Sequence, residues 1–174
     1  HVDDGDAEFG QLLVVGRFLG GRLGFQVHQH HIGVEGSGLL YVEEHLLRGD
    51  AVSPSERLVL YRCADGTAFA RKRVDYAPAA LAPDFELRDA RLDYREGLRR
   101  EGGQLIAFAG DAASVRERGL AQAPDLVADS GFDRLVRQRW DALQAGEDVR
   151  IDFLVPSRGQ ALDFRVRKVE SLSV

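Results

Sequence analysis

Two short runs of alternating apolar and polar residues near the carboxyl end constrain this chain more than any other feature. Their apolar positions are Val149, Ile151, Phe153 and Val155 in the first run, and Leu162, Phe164 and Val166 in the second. Apolar residues at every second position are typical of a strand with one buried face, so the runs predict an antiparallel hairpin. A register with Phe153 opposite Phe164 would also place Asp152 opposite Arg165, a favourable pair of charges.

An amphipathic helix is predicted directly before this hairpin, over about residues 131–145. Ser130 is a suitable N-cap, and Asp133 three residues later completes a capping box. Gly146 is a typical residue for the end of the helix. The residues on the apolar side are Phe132, Leu135, Val136, Trp140 and Leu143. This stripe is wide enough to cover one face of a sheet.

A second hairpin is predicted where Asp65-Gly66 separates two runs rich in strand-forming residues, 57–63 and 67–75. Asp and Gly both tolerate the positive φ that tight hairpin turns require. A turn centred there predicts three facing pairs, which are Tyr61 with Ala70, Val59 with Lys72, and Leu60 with Arg71.

The region from Phe85 to Arg100 is predicted to be one long or bent strand. Its apolar positions are odd-numbered at first and even-numbered from Ala90 onward, and a bulge would explain this slip of one residue. In total the sequence predicts seven to ten strands. The fold class we expect is α+β, with a mainly antiparallel, strongly curved sheet forming an open or half barrel, and one helix before the final hairpin.

The domain organisation predicted from the pattern is a Gly- and His-rich segment over residues 1–38 and a single β-rich domain over residues 39–174. The first segment holds nine of the 19 glycines and four of the five histidines. Two runs within it, 11–15 and 23–27, have strand character that their glycines weaken. This segment is therefore poorly specified by its sequence.

Composition excludes several classes of protein. The net charge of −5 argues against a nucleic-acid binder, and no apolar run of 18 residues exists that would predict a membrane-spanning helix. Gly16 to Gly21 matches no phosphate-binding or dinucleotide-binding pattern, so we expect no cofactor. The chain begins at His1 and contains no Met, from which we expect that a leader was removed or the chain was trimmed.

The histidines suggest a metal site as one alternative. On a strand, His28 and His30 share one face at a spacing compatible with zinc or copper, and His45 or Glu43 would supply a further ligand. Tyr41, Glu43 and His45 also share a face, which would form an acid–base pair or a polar cluster facing a cation. No nucleophile is placed to complete a catalytic triad, so an enzyme is the less favoured class.

Four stretches of the chain have distinctive amino-acid sequences. They are residues 40–45, 59–66, 84–89 and 129–155. Through them, residues 39–169 resemble a family of uncharacterised proteobacterial proteins that usually carry an export signal. The resemblance implies a periplasmic or otherwise exported protein, while a cytoplasmic location stays open. In architecture alone, the order of strands and helix is similar to the half barrels of periplasmic lipid or lipoprotein carriers.

The leading functional hypothesis is a non-enzymatic bacterial envelope protein that holds an apolar or amphipathic ligand, such as a lipid, in its curved sheet. The residues expected to line the cavity are Tyr61, Phe85, Trp140, Phe153 and Phe164. One alternative is an interaction module that docks onto an envelope protein partner without a ligand. The other is a metal-binding protein or enzyme that uses His28, His30 and His45.

Overall fold

The fold is α+β and consists of a mainly antiparallel open sheet, a small second sheet, and helices directly before the final hairpin. A computed structural model describes the backbone of residues 12–18, 25–34, 38–129 and 131–169, and the side chains of residues 40–129 and 131–169. Within these ranges the fold class agrees with the one predicted. The described residues contain twelve strands, which is more than the seven to ten predicted.

Nine strands form the large sheet, each hydrogen-bonded to the next along the chain. They are β1 (Leu12–Phe18), β2 (Phe25–Val34), β3 (Gly38–Gly49), β4 (Pro54–Arg62), β5 (Ala68–Asp75), β6 (Asp84–Asp89), β7 (Tyr94–Glu101), β8 (Gln104–Asp111) and β9 (Val115–Leu120). Because β1 pairs with β2 and β2 pairs with β3, the sheet begins within the segment 1–38. A domain boundary at residue 38 stays a prediction.

The small sheet and the helices follow. They are β10 (Leu126–Val127), α1 (Gly131–Gln138), α2 (Trp140–Gln144), β11 (Val149–Val155), a 3-10 turn (Pro156–Arg158) and β12 (Gln160–Val166). The single helix predicted over 131–145 is thus two consecutive helices, separated where Arg139 has φ −104° and ψ 13°. Gly146, with φ +81°, ends the second one as predicted. The predicted N-cap, Ser130, lies outside the described residues.

The hairpin around Asp65-Gly66 has the predicted register. Tyr61 lies opposite Ala70, Val59 opposite Lys72, and Leu60 opposite Arg71. Gly66 has φ +87°, the left-handed conformation expected of this turn.

The prediction of one long strand over residues 85–100 is wrong, because the chain reverses direction between β6 and β7. Strands β6 and β7 form a hairpin in which Asp89 lies opposite Tyr94. The Asp89 carboxylate accepts a hydrogen bond of 2.9 Å from the backbone N–H of Arg91, and Asp93 has φ +49°. The slip in apolar phase therefore reflects this turn, which contains no Gly or Pro to reveal it, and not a bulge.

The register predicted for the final hairpin is also wrong, by two residues. Phe153 lies opposite Leu162, while Phe164 lies opposite Ile151. The 3-10 turn ends at Gly159, which has φ +61°, so the connection uses only four residues and Val155 pairs with Gln160.

The core has two parts, one on each face of the small sheet. Leu154 and Leu126 face the large sheet and pack with its buried residues, which include Val74, Phe85, Leu98 and Leu105. Val127 and Ile151 face the other way and pack with Leu135 of α1. The molecule is thus layered as large sheet, small sheet and helix, and the small sheet covers the β5–β8 part of the large one.

Candidate functional site

Polar and aromatic side chains gather on the same face of the large sheet beside the covered part, on β3, β4 and β5. Tyr41, Glu43 and His45 alternate along β3, and His45 Nε2 lies 2.9 Å from Glu43 Oε2. Glu43 lies directly opposite Tyr61 of β4, and Val59 of β4 lies opposite Lys72 of β5. Since facing residues of neighbouring strands share a face, these side chains form one surface.

The central charge of this surface is the Lys72 ammonium group. Its Nζ lies 2.8 Å from Asp129 Oδ2, and the two side chains are only 17% and 20% exposed. Asp129 belongs to the short loop between β10 and α1 and has φ +42°. A positive φ is uncommon outside glycine and is better tolerated by Asp than by most residues. The ion pair therefore fixes this loop against the large sheet.

Three rings lie next to this ion pair and are called the ring cluster here. They belong to Tyr41, Tyr61 and Phe69, and their centroids are 6.0 to 6.2 Å apart. All three are partly exposed, and the Arg91 guanidinium stacks on Phe69 with its central carbon 3.6 Å from the ring centroid. Tilted rings at this separation attract each other and offer an apolar contact surface.

The surroundings keep the phenols neutral and the ammonium group charged. Burial raises the pKa of Tyr61 above its ordinary value, although nearby Lys72 acts in the opposite direction. Burial also raises the pKa of Tyr41, with the Glu43 carboxylate as the second cause. For Lys72, burial alone would lower the pKa, but the Asp129 carboxylate and the Tyr61 hydroxyl together raise it. At neutral pH the surface thus presents hydroxyls and a protonated amine.

A protonated lysine has no lone pair, so it acts neither as a nucleophile nor as a base. The Lys72 ammonium group can instead hold a polar or negatively charged atom by hydrogen bonding. The ring cluster beside it can hold an apolar group. The arrangement therefore suits recognition of a molecule with a polar end and an apolar body.

The predicted metal ligands fall partly outside the described side chains. The backbone register places His28 opposite His45 and His30 opposite Glu43. Among residues 40–129 and 131–169, no group of three or more His, Cys, Asp or Glu side chains is arranged to hold a metal ion. The site predicted from His28, His30 and His45 stays a prediction.

The five residues predicted to line a cavity are distributed over several parts of the fold. Tyr61 belongs to the ring cluster, whereas Phe85 is buried in the core between the sheets. Phe153 and Phe164 form an edge-to-face pair in the small sheet, with ring centroids 6.0 Å apart. Trp140 is 54% exposed on α2, whereas Leu143 of the same helix is buried.

Two residues of the site, Lys72 and Asp129, were not recognised from the sequence. The sequence does indicate that Lys72 is buried. Lys72 lies between Ala70 and Val74 in a strand whose residues alternate between two faces, so it belongs to the buried face. Lysine is rarely buried without a partner, so its position predicts a carboxylate nearby. The pattern does not show which carboxylate, since Asp129 is 57 residues away.

Comparison of the chain with protein-family models, with curated proteins and with solved structures finds no match. Within the described part of the chain, no helix has the length and apolar character needed to cross a membrane.

Proposed function

We propose that this protein is a non-enzymatic binding protein for an apolar or amphipathic small molecule. The observation that carries the proposal is the partly exposed ring cluster beside the charged Lys72, on the face of the sheet that elsewhere forms the core. Rings and a charged or polar group together are the usual lining of a small-molecule site. The raised pKa of Lys72 supports binding rather than covalent chemistry.

The compartment is part of the same proposal. The resemblance of residues 39–169 to exported proteobacterial proteins supports a bacterial envelope protein, and an apolar ligand suits a carrier that works between membranes. In such a carrier the ring cluster would contact the acyl or other apolar part of the ligand. The Tyr61 hydroxyl and Lys72 would contact its oxygen-bearing end.

Thermal unfolding with single-chain fatty acids and monoacylglycerols, each below its critical micelle concentration, tests the proposal. A ligand present at 100 times its Kd stabilises the folded state by about 2.7 kcal/mol, which raises the Tm by about 5 to 10 °C. Tyr61→Ala should abolish this rise. Leu92→Ala is the matched control, because Leu92 is apolar and 69% exposed in the β6–β7 turn. An unchanged Tm with every amphiphile contradicts the proposal.

A second candidate function, docking onto an envelope protein, is favoured by one observation. Trp140 is 54% exposed on α2, although tryptophan is among the residues that dominate binding energy at protein interfaces. Near the end of the preceding helix, the Arg137 guanidinium donates a 2.9 Å hydrogen bond to the Val52 carbonyl oxygen. The Val52 side chain is itself 64% exposed.

The two candidates predict different behaviour of the single tryptophan. A ligand bound at the ring cluster leaves the fluorescence of Trp140 unchanged, because Trp140 lies on α2 outside that surface. A partner that docks on the helix shifts the Trp140 emission to shorter wavelength. Trp140→Phe would then weaken partner binding and leave amphiphile binding intact.

A further inference from the structure

A groove of about 640 Å³ lies at the rim of the large sheet where the β4–β5, β6–β7 and β8–β9 turns meet. Its lining includes Arg71 of β5, Arg88 of β6 and Arg95 of β7, together with the Phe69 and Tyr94 rings. Arg71 and Leu60 precede Lys72 and Tyr61 by one residue, so they point to the opposite face of the sheet. The arginines of the groove therefore lie on the opposite face from Lys72 and Tyr61, while Phe69 lines the groove and also belongs to the ring cluster.

Three arginines of this lining form a row across neighbouring strands, called the arginine row here. Arg71 lies opposite Arg88, and Arg88 lies opposite Arg95. Facing side chains of neighbouring strands have Cβ atoms about 5 Å apart, and like charges in that position are destabilising. The arginine row therefore lowers the stability of the folded chain.

Carboxylates neutralise the row only in part, and the pKa of Glu117, which is lowered chiefly by Arg99, is lowered further by Arg95. Arg88 pairs with Glu86 at 2.9 Å. Among the residues whose side chains are described, Arg71 and Arg95 have no carboxylate within 4 Å, and both are exposed. Two aspartates also line the groove, but the Asp89 carboxylate is held by Arg91 at 2.6 Å and Asp93 lies in the turn.

Many other arginines of this sheet and its turns pair with a carboxylate, whereas Arg116 and Arg118 of β9 have none within 4 Å among the described side chains. Arg62 pairs with Glu44, Arg91 with Asp89, Arg99 with Glu117, and Arg100 with Asp84. Where a chain departs from its own local pattern without an internal compensation, the departure is expected at a functional site.

We propose that the arginine row binds the phosphate group of a small phosphorylated molecule, and that the adjoining wall holds its apolar part. The planar guanidinium fork matches phosphate oxygens in a bidentate manner, and three forks suit a doubly charged anion. Leu60, Ala68 and Phe69 form an apolar wall of the same groove. A volume of about 640 Å³ lies in the range of small-molecule sites.

Calorimetric titration with phenyl phosphate and with inorganic phosphate, at constant ionic strength, tests this proposal. Wild type should bind both, and phenyl phosphate should bind several-fold more tightly. Arg71→Gln and Arg95→Gln should each weaken binding at least tenfold. Arg150→Gln should not, because Arg150 is an exposed arginine of the small sheet that likewise faces another arginine, Arg165.

A second measurement separates loss of the site from loss of the fold. Without phosphate and at low salt, Arg71→Gln should keep or raise the Tm, because it removes like-charge repulsion from the row. Absence of phosphate binding by wild type, equal weakening in Arg150→Gln, or equal affinity for the two phosphates would overturn the proposal. Binding to phosphatidylcholine vesicles that contain phosphatidic acid, without binding of phenyl phosphate, would also overturn it.

Discussion

Lys72 and Asp129 are 57 residues apart in sequence, yet Lys72 Nζ lies 2.8 Å from Asp129 Oδ2. This ion pair joins the middle of β5 to the loop that connects β10 with α1. It orients the charged group beside the ring cluster and restrains the loop that leads into the helices. One contact thus serves both the proposed site and the docking of the second half of the chain.

Breaking this pair from one side should destabilise the fold. Lys72→Met keeps most of the side-chain length but leaves the Asp129 carboxylate, which is 20% exposed, without its ammonium partner. Removing one member of a largely buried pair costs about 3 kcal/mol, and urea unfolding measures that loss. The double variant with Asp129→Asn should recover most of it.

An exposed pair provides the control for this experiment. Arg167 and Asp148 are bonded at 2.6 Å, but their side chains are 60% and 30% exposed. Arg167→Met should change the free energy of unfolding far less than Lys72→Met, because solvent screens exposed pairs. Equal effects of the two variants would contradict the central role of Lys72.

Gly97 of β7 should tolerate no larger residue. A Cβ atom there would collide with the Phe85 carbonyl oxygen and lie 2.7 Å from Phe108 Cζ. We expect Gly97→Ala to lower the free energy of unfolding by about 2 to 3 kcal/mol through overpacking. Gly119→Ala in β9 is the matched strand control, since a Cβ there meets nothing within 4 Å. Similar losses in both variants would show that close packing is not the cause.

The fold should lose stability at high pH through Tyr94. Burial and a 2.9 Å hydrogen bond from its hydroxyl to Glu96 raise the pKa of Tyr94 to about 12. In the unfolded chain the phenol ionises near pH 10. Its contribution to stability is therefore complete below about pH 10 and is lost as the pH rises toward 12.

Absorbance titration of the phenolate and urea unfolding between pH 9 and 12 measure this effect. Tyr94→Phe should remove the phenolate transition near pH 12 and flatten the decline in unfolding free energy. A Tyr94 that ionises near pH 10 in the folded protein would disprove the assignment.

Hairpins whose turns carry their own chemistry could be predicted from the sequence. Asp65-Gly66 supplies residues that accept positive φ, and in the structure Gly66 has a φ of +87°. The β6–β7 turn could not be predicted, because an Asp89 side-chain hydrogen bond and the positive φ of Asp93 replace glycine there. The register predicted for the final hairpin is wrong because a 3-10 turn shortens the connection between β11 and β12.

The candidate site was predictable only in part. The alternation of Tyr41, Glu43 and His45 placed them on one face, and the Glu43–His45 contact at 2.9 Å agrees with that prediction. The helical pattern predicts Trp140 on the apolar side, but the side chain is 54% exposed in the structure. Contacts between distant segments, such as Lys72 with Asp129, depend on how the two sheets pack, and strand periodicity carries no information about that.

Native mass spectrometry of the protein purified from a bacterial host, compared with its denatured mass, tests the central claim most directly. The proposed function predicts an extra mass of a few hundred daltons, on the order of a single lipid, that is lost on denaturation and is absent in Tyr61→Ala. A zinc- or copper-sized increment, lost on substitution of His30 or His45, would favour the metal site instead. A bare mass that persists after incubation with fatty acids and monoacylglycerols would contradict the account.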